Sequence, residues 1–503
     1  MSFNLLSVVW IPIQHQGNYQ KISLKQLLCG EQTGELCLPR DDMELACLHL
    51  LCAITQVLFL PSNKKALLKY LKEPISADIY EDACSDKMDW FDLNHEKTPF
   101  MQIRGVKSTQ PTPMDKLLAG VADGTNKAFV NPQGLAEALC GGCVAVALFN
   151  AANNCPSMGG GFKGSLRGNT PITVLIKGRD LRETVWLNVL SEEAVEEFMP
   201  MPWHERTKDQ LPNYLELVKA DSKIPVSAIG LNRGLLWQPA HFELLPPQTI
   251  GRCSCCGCEE AVYNGFNKAK FSYTIEGVWP HPLSSRMFSI KKGEKEEKFP
   301  SFTTTAPTWT HMSRLVIDQL DDKGKGGHEA APVIKQARKL VAAYKIQLII
   351  GGYRNNQATI LERRHELFSL AQGWAEHGDT IQQLIGNGLA YKSALRKALY
   401  LFAVGVKDKV YGSGVNLCDP VETQYYQQTE KLVRDSLAEI NFNASQDAVQ
   451  ALNQQLKAIA VDLFNQATEP YRQEPKMLKA LAWARRSLNK SLRELEPEGD
   501  THE

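Results

Sequence analysis

Gly351-Gly352-Tyr353-Arg354-Asn355-Asn356-Gln357-Ala358 marks the place where the hydrophobic pattern of the chain changes. Just before it, residues 348–350 read Leu-Ile-Ile, a run that predicts a strand. From about residue 358 onward, strand signals stop and a helical period takes over. Ile360, Leu361, Leu367, Phe368, Ala371 and Trp374 predict a helix over 360–374, with Gly378 as its stop. Thr380 and Gln383 form a capping box for a second helix reaching Phe402. Further helices are predicted over 421–440, 447–466 and 475–495, with Ser445 as a cap and Pro475 in a first turn. Their short connections favour antiparallel packing, hence a C-terminal helical bundle.

Upstream the pattern is mixed. Residues 6–13 read as a strand whose end Pro12 marks. Asp41-Asp42-Met43-Glu44 opens a helix, with Asp41 as N-cap and Glu44 three residues on. Leu45, Leu48, Leu51 and Cys52 follow at helical spacing and predict a buried helix. Short strands are predicted at 171–176 and 272–275, separated by long Gly-, Pro- and Asn-containing stretches. The charge-mixed run 291–298 reads as a solvated hairpin tip or loop. The fold class is therefore α+β: an irregular mixed domain over 1–360, then a helical domain over 361–503.

The 503 residues include 56 basic and 56 acidic side chains, so the net charge is zero. With 43% apolar and 22% charged residues, the composition is that of a soluble globular protein. Residues 45–60, the longest apolar stretch, are interrupted by His49, Thr55 and Gln56, short of the about 18 residues of a membrane span. Met1-Ser2-Phe3-Asn4 lacks the basic start of a secretory signal, so a cytoplasmic location is expected. Zero net charge argues against a general nucleic-acid coat protein but leaves room for a local basic groove.

Thirteen cysteines without a secretion signal read as reduced thiols, and a cluster of them reads first as a metal site. Cys140-Gly-Gly-Cys143 is one CxxC pair. Cys253-Ser-Cys-Cys256-Gly-Cys258 holds two overlapping pairs, Cys253/Cys256 and Cys255/Cys258. Two such knuckles supply the four ligands of a tetrahedral Zn²⁺ site. Here more than 100 residues separate them, so the site would cross-link remote parts of the chain. Unconnected buried thiols and a redox pair are the alternatives. A closed four-cysteine site is structural, because no ligand position stays open for chemistry.

Gly159-Gly160-Gly161-Phe162-Lys163-Gly164 fits G-x-G-x-x-G in form only. Residues 145–152 before it read as helix and a strand follows it, the reverse of a dinucleotide site. What remains is either a bland surface loop or a mobile ribbon of backbone N–H groups. Flanked by Lys163 and Arg167, such a ribbon can approach a phosphate or a groove. Arg354, Asn355, Asn356 and Gln357 are of the types that pair with base edges or phosphates, and a polar loop capping a helix explains them equally. The eleven histidines form no HExxH or HxH motif, and no G-x-S-x-G elbow is present. His204-Glu205 and His365-Glu366 are isolated pairs.

Taken in order, ten segments resemble the large subunit of the type I-E CRISPR Cascade surveillance complex, the CasA family. They begin with Leu38-Pro-Arg-Asp-Asp-Met-Glu-Leu-Ala46, Asn94-His-Glu-Lys-Thr-Pro-Phe-Met-Gln102 and Ala128-Phe-Val-Asn131. They continue with Glu137-Ala-Leu-Cys-Gly-Gly-Cys143, the glycine loop over 159–168, Trp237-Gln-Pro-Ala-His241 and Cys253-Ser-Cys-Cys-Gly257. Trp279-Pro-His-Pro282, residues 351–362 and Tyr391-Lys-Ser-Ala-Leu-Arg-Lys397 complete them.

The resemblance implies a non-catalytic subunit with an irregular N-terminal domain and a C-terminal four-helix bundle. It implies partners too: double-stranded target DNA, the CRISPR guide RNA, the other Cascade subunits and a helicase–nuclease. Such a subunit recognises the short motif beside the target, the PAM, and starts strand opening; guide pairing reads the rest. By the same resemblance, Lys270 enters the minor groove. Asn356, Ala358 and the backbone of Gly159, Gly160 and Gly161 contact the PAM, and Gln357 is the wedge under the first target base pair. Phe129 and Asn131 dock on the guide-RNA 5′ region and neighbouring subunits. Cys140, Cys143, Cys253 and Cys256 are the zinc ligands. Ser157 stands where the family's loop can have glycine, and the extra Cys258 leaves Cys255/Cys258 as an alternative knuckle. Lys392, Arg396, Lys397, Arg485, Arg486, Lys490 and Arg493 of the bundle either track the displaced strand or are solvated. Two rival functions remain: a zinc-dependent hydrolase or nuclease, and a purely protein-binding scaffold.

Overall fold

Gly141-Gly-Cys-Val-Ala-Val-Ala-Leu-Phe149 carries no charged side chain, and a helix of that composition has to be buried all round. It forms the helix Gly141–Asn153, and every residue from Gly141 to Asn150 is buried. The helix packs against a second buried helix, Asp41–Leu58. These helices belong to a computed structural model that describes residues 2–30, 34–121, 136–199, 210–291, 294–320 and 326–496.

The chain forms two units: residues 1–303, 317–340 and 347–367 make one, and residues 304–316, 341–346 and 368–503 make the other. In the first unit, small and mostly antiparallel sheets surround the helix pair. Val9–His15 lies between Asn18–Ser23 and Glu35–Leu36. Leu139–Cys140 pairs with Glu259–Tyr263, which pairs with Thr249–Arg252. Gly265–Ala269 runs between Thr112–Pro113 and His241–Leu244. Thr173–Lys177 pairs with Ile346–Asn356, whose other neighbour is Thr359–Leu370. Trp10, Trp186, Trp237 and Trp279 are fully buried in this unit. Each takes on the order of 200 Å² out of water, about 5 kcal/mol before the cost of ordering the chain.

The strand Thr359–Leu370 corrects the helix predicted over 360–374. The helical reading needed Leu361 and Leu367 in a core, yet they are 51% and 50% exposed. Pairing with a buried neighbouring strand outweighs weak local helix propensity here. Gln357 and Ala358 therefore sit at a hairpin tip, not before a helix, and the boundary drawn at 360/361 falls inside a strand. Residues 286–291 and 294–298 pair as antiparallel strands, with Lys291 opposite Glu294 in the register.

The second unit carries four long helices, Gly378–Val404, Cys418–Glu439, Ser445–Thr468 and Leu478–Glu494, and the first packs against the other three. The caps differ from expectation. His377 precedes the first helix without a side-chain cap, and Arg40 stands before Asp41 as N-cap of the 41–58 helix. Glu44 still reaches back, accepting the Leu38 N–H at 3.2 Å. Lys392 and Arg396 are engaged by Glu422 (Lys392 at 3.5 Å), which makes them part of the bundle's own charge pairing. Among the described residues, no helix is long and apolar enough to cross a membrane.

Two substitutions check this fold. A methyl group on Gly388 would meet the Trp309 ring at 2.8 Å, so Gly388→Ala should cost about 1–3 kcal/mol in denaturant unfolding. Leu361→Lys should stay within about 0.5 kcal/mol of the parent, because Leu361 is half in water. A large loss for Leu361→Lys would restore the helical reading.

Candidate functional site

Two structures built from loops stand out in the first unit. The first is the cysteine cluster. Thr249–Arg252 and Glu259–Tyr263 form a hairpin whose loop, 253–258, is one knuckle. The Cys253 N–H donates to the Cys258 carbonyl at 2.8 Å, and Gly257 takes φ +75° to turn the loop. The other knuckle opens the Gly141–Asn153 helix, with Cys140 as N-cap and Cys143 in its first turn. Both intervening glycines are required by close approach: a methyl on Gly141 would meet the Phe3 ring at 2.6 Å, and one on Gly142 the Trp10 carbonyl at 3.0 Å.

The ligand atoms of Cys140, Cys143, Cys253 and Cys256 all lie within 4.8 Å of one another, with Cys140 Sγ 3.6 Å from Cys256 Sγ. Tetrahedral metal–sulfur bonds of about 2.3 Å put sulfurs roughly 3.8 Å apart, so the four thiols fit one metal ion. Cys255 and Cys258 are not in the group. Hydrogen bonds from Cys140 and Cys143 lower Cys253 and Cys256, and hydrogen bonding with Cys140 raises Cys143. Four touching thiols cannot all ionise unless a cation takes up the charge. The surroundings favour that charge: Cys140 N–H donates to Cys253 Sγ at 3.3 Å, and Lys21 Nζ lies 3.6 Å from Cys140 Sγ. The open first-turn N–H groups of the helix add partial positive charge.

The second structure is an exposed basic face. Gly159, Gly160 and Gly161 all take positive φ, a conformation other residues adopt only with strain. A methyl on Gly159 would touch Ala358 Cβ at 3.5 Å, and one on Gly161 would stand 3.6 Å from Lys270 Nζ. The glycine loop, the hairpin tip and Lys270 thus converge, though more than 100 residues separate the first from the others. Lys268 lies over the Phe162 ring and Lys163 over Tyr273, and Lys270 follows just past the end of the strand Gly265–Ala269. Gly160, Gly161, Lys270, Asn356, Gln357 and Ala358 are exposed. Gln357 itself has φ +52°, held by Asn355 Nδ2 donating to its carbonyl at 2.5 Å. Phe129 and Asn131 lie outside the described residues.

Sequence reading set Arg167 as a flank of the glycine ribbon; the structure buries it, 2% exposed. Its partners are neutral oxygens, including Thr173 Oγ1 at 3.1 Å and Ser284 Oγ at 2.7 Å. Burial lowers it to about 9, still charged at neutral pH. His49 and His281 are buried nearby, their rings 5.1 Å apart. Burial, then the charge of Arg167, holds both well below the ordinary 6.5.

Residues 4–463 match the family described as CRISPR-associated protein Cse1. The chain belongs to the Cse1 family. Its fold is that of solved Cse1 structures. Thermobifida fusca Cse1 superposes with a TM-score of 0.74 at 17% identity, over 98% of this chain and 97% of that one. Thermus thermophilus CasA (Cse1) gives 0.70 at 18%, over 98% and 99%. A chain of a structure titled CRISPR RNA-guided surveillance complex gives 0.66 at 14%, over 97% and 99%.

Two outcomes follow from this geometry. Stripping the metal with a strong chelator, or Cys143→Ser, should release one ion per chain and destabilise the first unit by several kcal/mol, read by metal analysis and thermal unfolding. Unchanged unfolding after complete metal loss would contradict the cross-link. For pH, His49 and His281 stay neutral when folded, whereas the unfolded chain takes up protons below about 6.5. The unfolded state then binds more protons, so stability falls with falling pH, by about 1.4 kcal/mol per unit for each histidine. Denaturant unfolding at about pH 7 and about pH 5 measures the slope. A flat profile would contradict neutral burial.

Proposed function

We propose that this chain is the non-catalytic large subunit of an RNA-guided type I-E Cascade complex. It recognises the PAM in double-stranded DNA from the minor groove, starts strand separation and R-loop formation, and helps recruit the helicase–nuclease. Family membership, and likeness to chains from RNA-guided surveillance complexes, support guide RNA and other Cascade subunits as partners. The mixed first unit, drawn from the sequence as residues 1–360, carries the PAM recognition; the helical bundle, drawn as 361–503, has its first long helix from Gly378. Phe129 and Asn131 are assigned to the docking site for the guide-RNA 5′ region and neighbouring subunits.

One observation carries the DNA reading: three glycines, a lysine and an exposed hairpin tip meet on one face. A B-form minor groove is about 6 Å wide and offers mainly an A·T-against-G·C code. A narrow ribbon of glycine backbone and one lysine fit such a groove and tolerate related PAMs. Gln357, presented at the tip, is placed to press on the adjoining base pair. Opening that step opposes roughly 1–2 kcal/mol of stacking, plus pairing. The hairpin behind Gln357, closed by Arg354 and Glu362 at 2.7 Å, gives the wedge its mount. Zn²⁺ is the ion the four cysteines suit. Bound there, it neutralises thiolate charge and joins the two knuckles, and with four protein ligands it keeps no position for a hydrolytic water.

The test is the assembled complex with Lys270→Ala or Gln357→Ala. Lys270→Ala should weaken PAM-duplex binding and reduce the salt slope, log K against log salt, by about 0.9. Gln357→Ala should retain initial binding and lower opening of the first base pair about tenfold, read with a fluorescent base analogue. PAM-dependent binding and opening unchanged in both variants would sink the assignment and favour a purely protein-binding scaffold.

A further inference from the structure

A continuous line of buried hydrogen bonds joins the base of the glycine loop to the strand that ends in the hairpin tip. Arg167 closes the loop that opens after Asn153. Its Nη2 donates to the Asn153 carbonyl at 3.0 Å and to Asn154 Oδ1, so one guanidinium ties both ends of the loop together. Asn154 Nδ2 donates to Asn150 Oδ1 at 3.0 Å, and Asn150 Nδ2 donates to the Tyr353 hydroxyl at 2.7 Å. That hydroxyl donates in turn to Asp42 Oδ2 at 2.9 Å. Asp42 is gripped by the Arg40 fork, at 3.0 and 2.7 Å. Arg167, Asn154, Asn150, Tyr353 and Asp42 are all buried. Tyr353 stands four residues before Gln357, on the strand that leads into the tip. A shorter link runs beside this line: Thr170 Oγ1 donates to Asn355 Oδ1 at 2.7 Å, directly behind the tip.

Neither tip can fix its own place. Three left-handed glycines have little local preference, and Gln357 sits in a left-handed turn that costs energy. Their spacing therefore depends on their stems, and these stems share one buried network in which every broken bond leaves a desolvated group behind. We infer that Tyr353 and Arg167 are positioning residues, and that the line between them holds the glycine loop and the hairpin tip at the spacing needed to meet one groove. This rests on the DNA reading proposed above.

Tyr353→Phe keeps the ring and removes only the hydroxyl, leaving Asn150 Nδ2 and Asp42 Oδ2 each short of a partner. In the assembled complex, the hydrogen-bonded amides of Phe162 and Gly168 in the loop should exchange about tenfold faster, the effect of one buried hydrogen bond. Preference for PAM over non-PAM duplex should fall by a similar factor. Arg167→Lys keeps the charge but loses the fork, and should loosen the same amides. Tyr425→Phe is the control for lost stability alone. It removes a buried hydroxyl bond to the Gly388 carbonyl, 2.8 Å, in the helical unit, and should move neither readout. The inference is overturned if Tyr353→Phe leaves loop exchange unchanged. It is also overturned if exchange quickens while a preference that Lys270→Ala abolishes stays intact. Should Lys270→Ala and Gln357→Ala both leave the preference intact, the DNA reading falls. The positioning role toward DNA then falls with it, and the exchange data report only a structural tie.

Discussion

Four cysteine sulfurs within 4.8 Å of one another join two stretches of chain that are more than 100 residues apart. Two of the elements that lead to the exposed face start at that junction. One knuckle is the start of the Gly141–Asn153 helix, a rod of about 20 Å buried along its length. At its far end the chain enters the glycine loop. The other knuckle is the loop of a hairpin whose second strand, Glu259–Tyr263, leads almost at once into Gly265–Ala269 and Lys270. The four-cysteine cluster therefore lies at the root of two of the three parts of the exposed face. The third part, the hairpin tip, is tied in at the helix C-terminus through Asn150 and Tyr353.

This arrangement changes the meaning of zero net charge. A protein that coats nucleic acid needs a broad basic surface, because affinity follows the number of phosphates neutralised. Here positive charge is gathered on a small face, Lys163, Lys268 and Lys270, two of them lying over aromatic rings. Several basic side chains of the helical unit are drawn into its own pairs, Lys392 and Arg396 with Glu422 and Lys490 with Glu494. On the proposed DNA reading, local probing by a few backbone and side-chain groups suits a neutral subunit whose partners hold the guide.

Much of this was legible in the sequence because the signals were local or chemical. Paired cysteines point to a cluster whatever lies between them, and three adjacent glycines point to unusual backbone. The order of ten segments identified the family, and 3.6-residue periodicity gave the bundle. The hairpin was missed because Ile360, Leu361, Leu367 and Phe368 mimic a helical stripe, while strand pairing is decided by a distant partner. The burial of Arg167 was not legible for a related reason. An arginine beside a glycine loop looks like a phosphate ligand until Thr173, Ser284 and Asn154 are seen to surround it. No spacing rule reveals a line of hydrogen bonds from Asp42 to Asn150 to Tyr353, since its members lie far apart along the chain.

The most direct measurement is photocrosslinking from position 357. A photoreactive amino acid is placed there in the assembled complex with a duplex bearing the PAM and target. The expected result is a crosslink concentrated at the base pair adjoining the PAM and absent with a duplex lacking it. Crosslinks spread evenly along the duplex, or formed only to protein, would contradict a wedge at the hairpin tip.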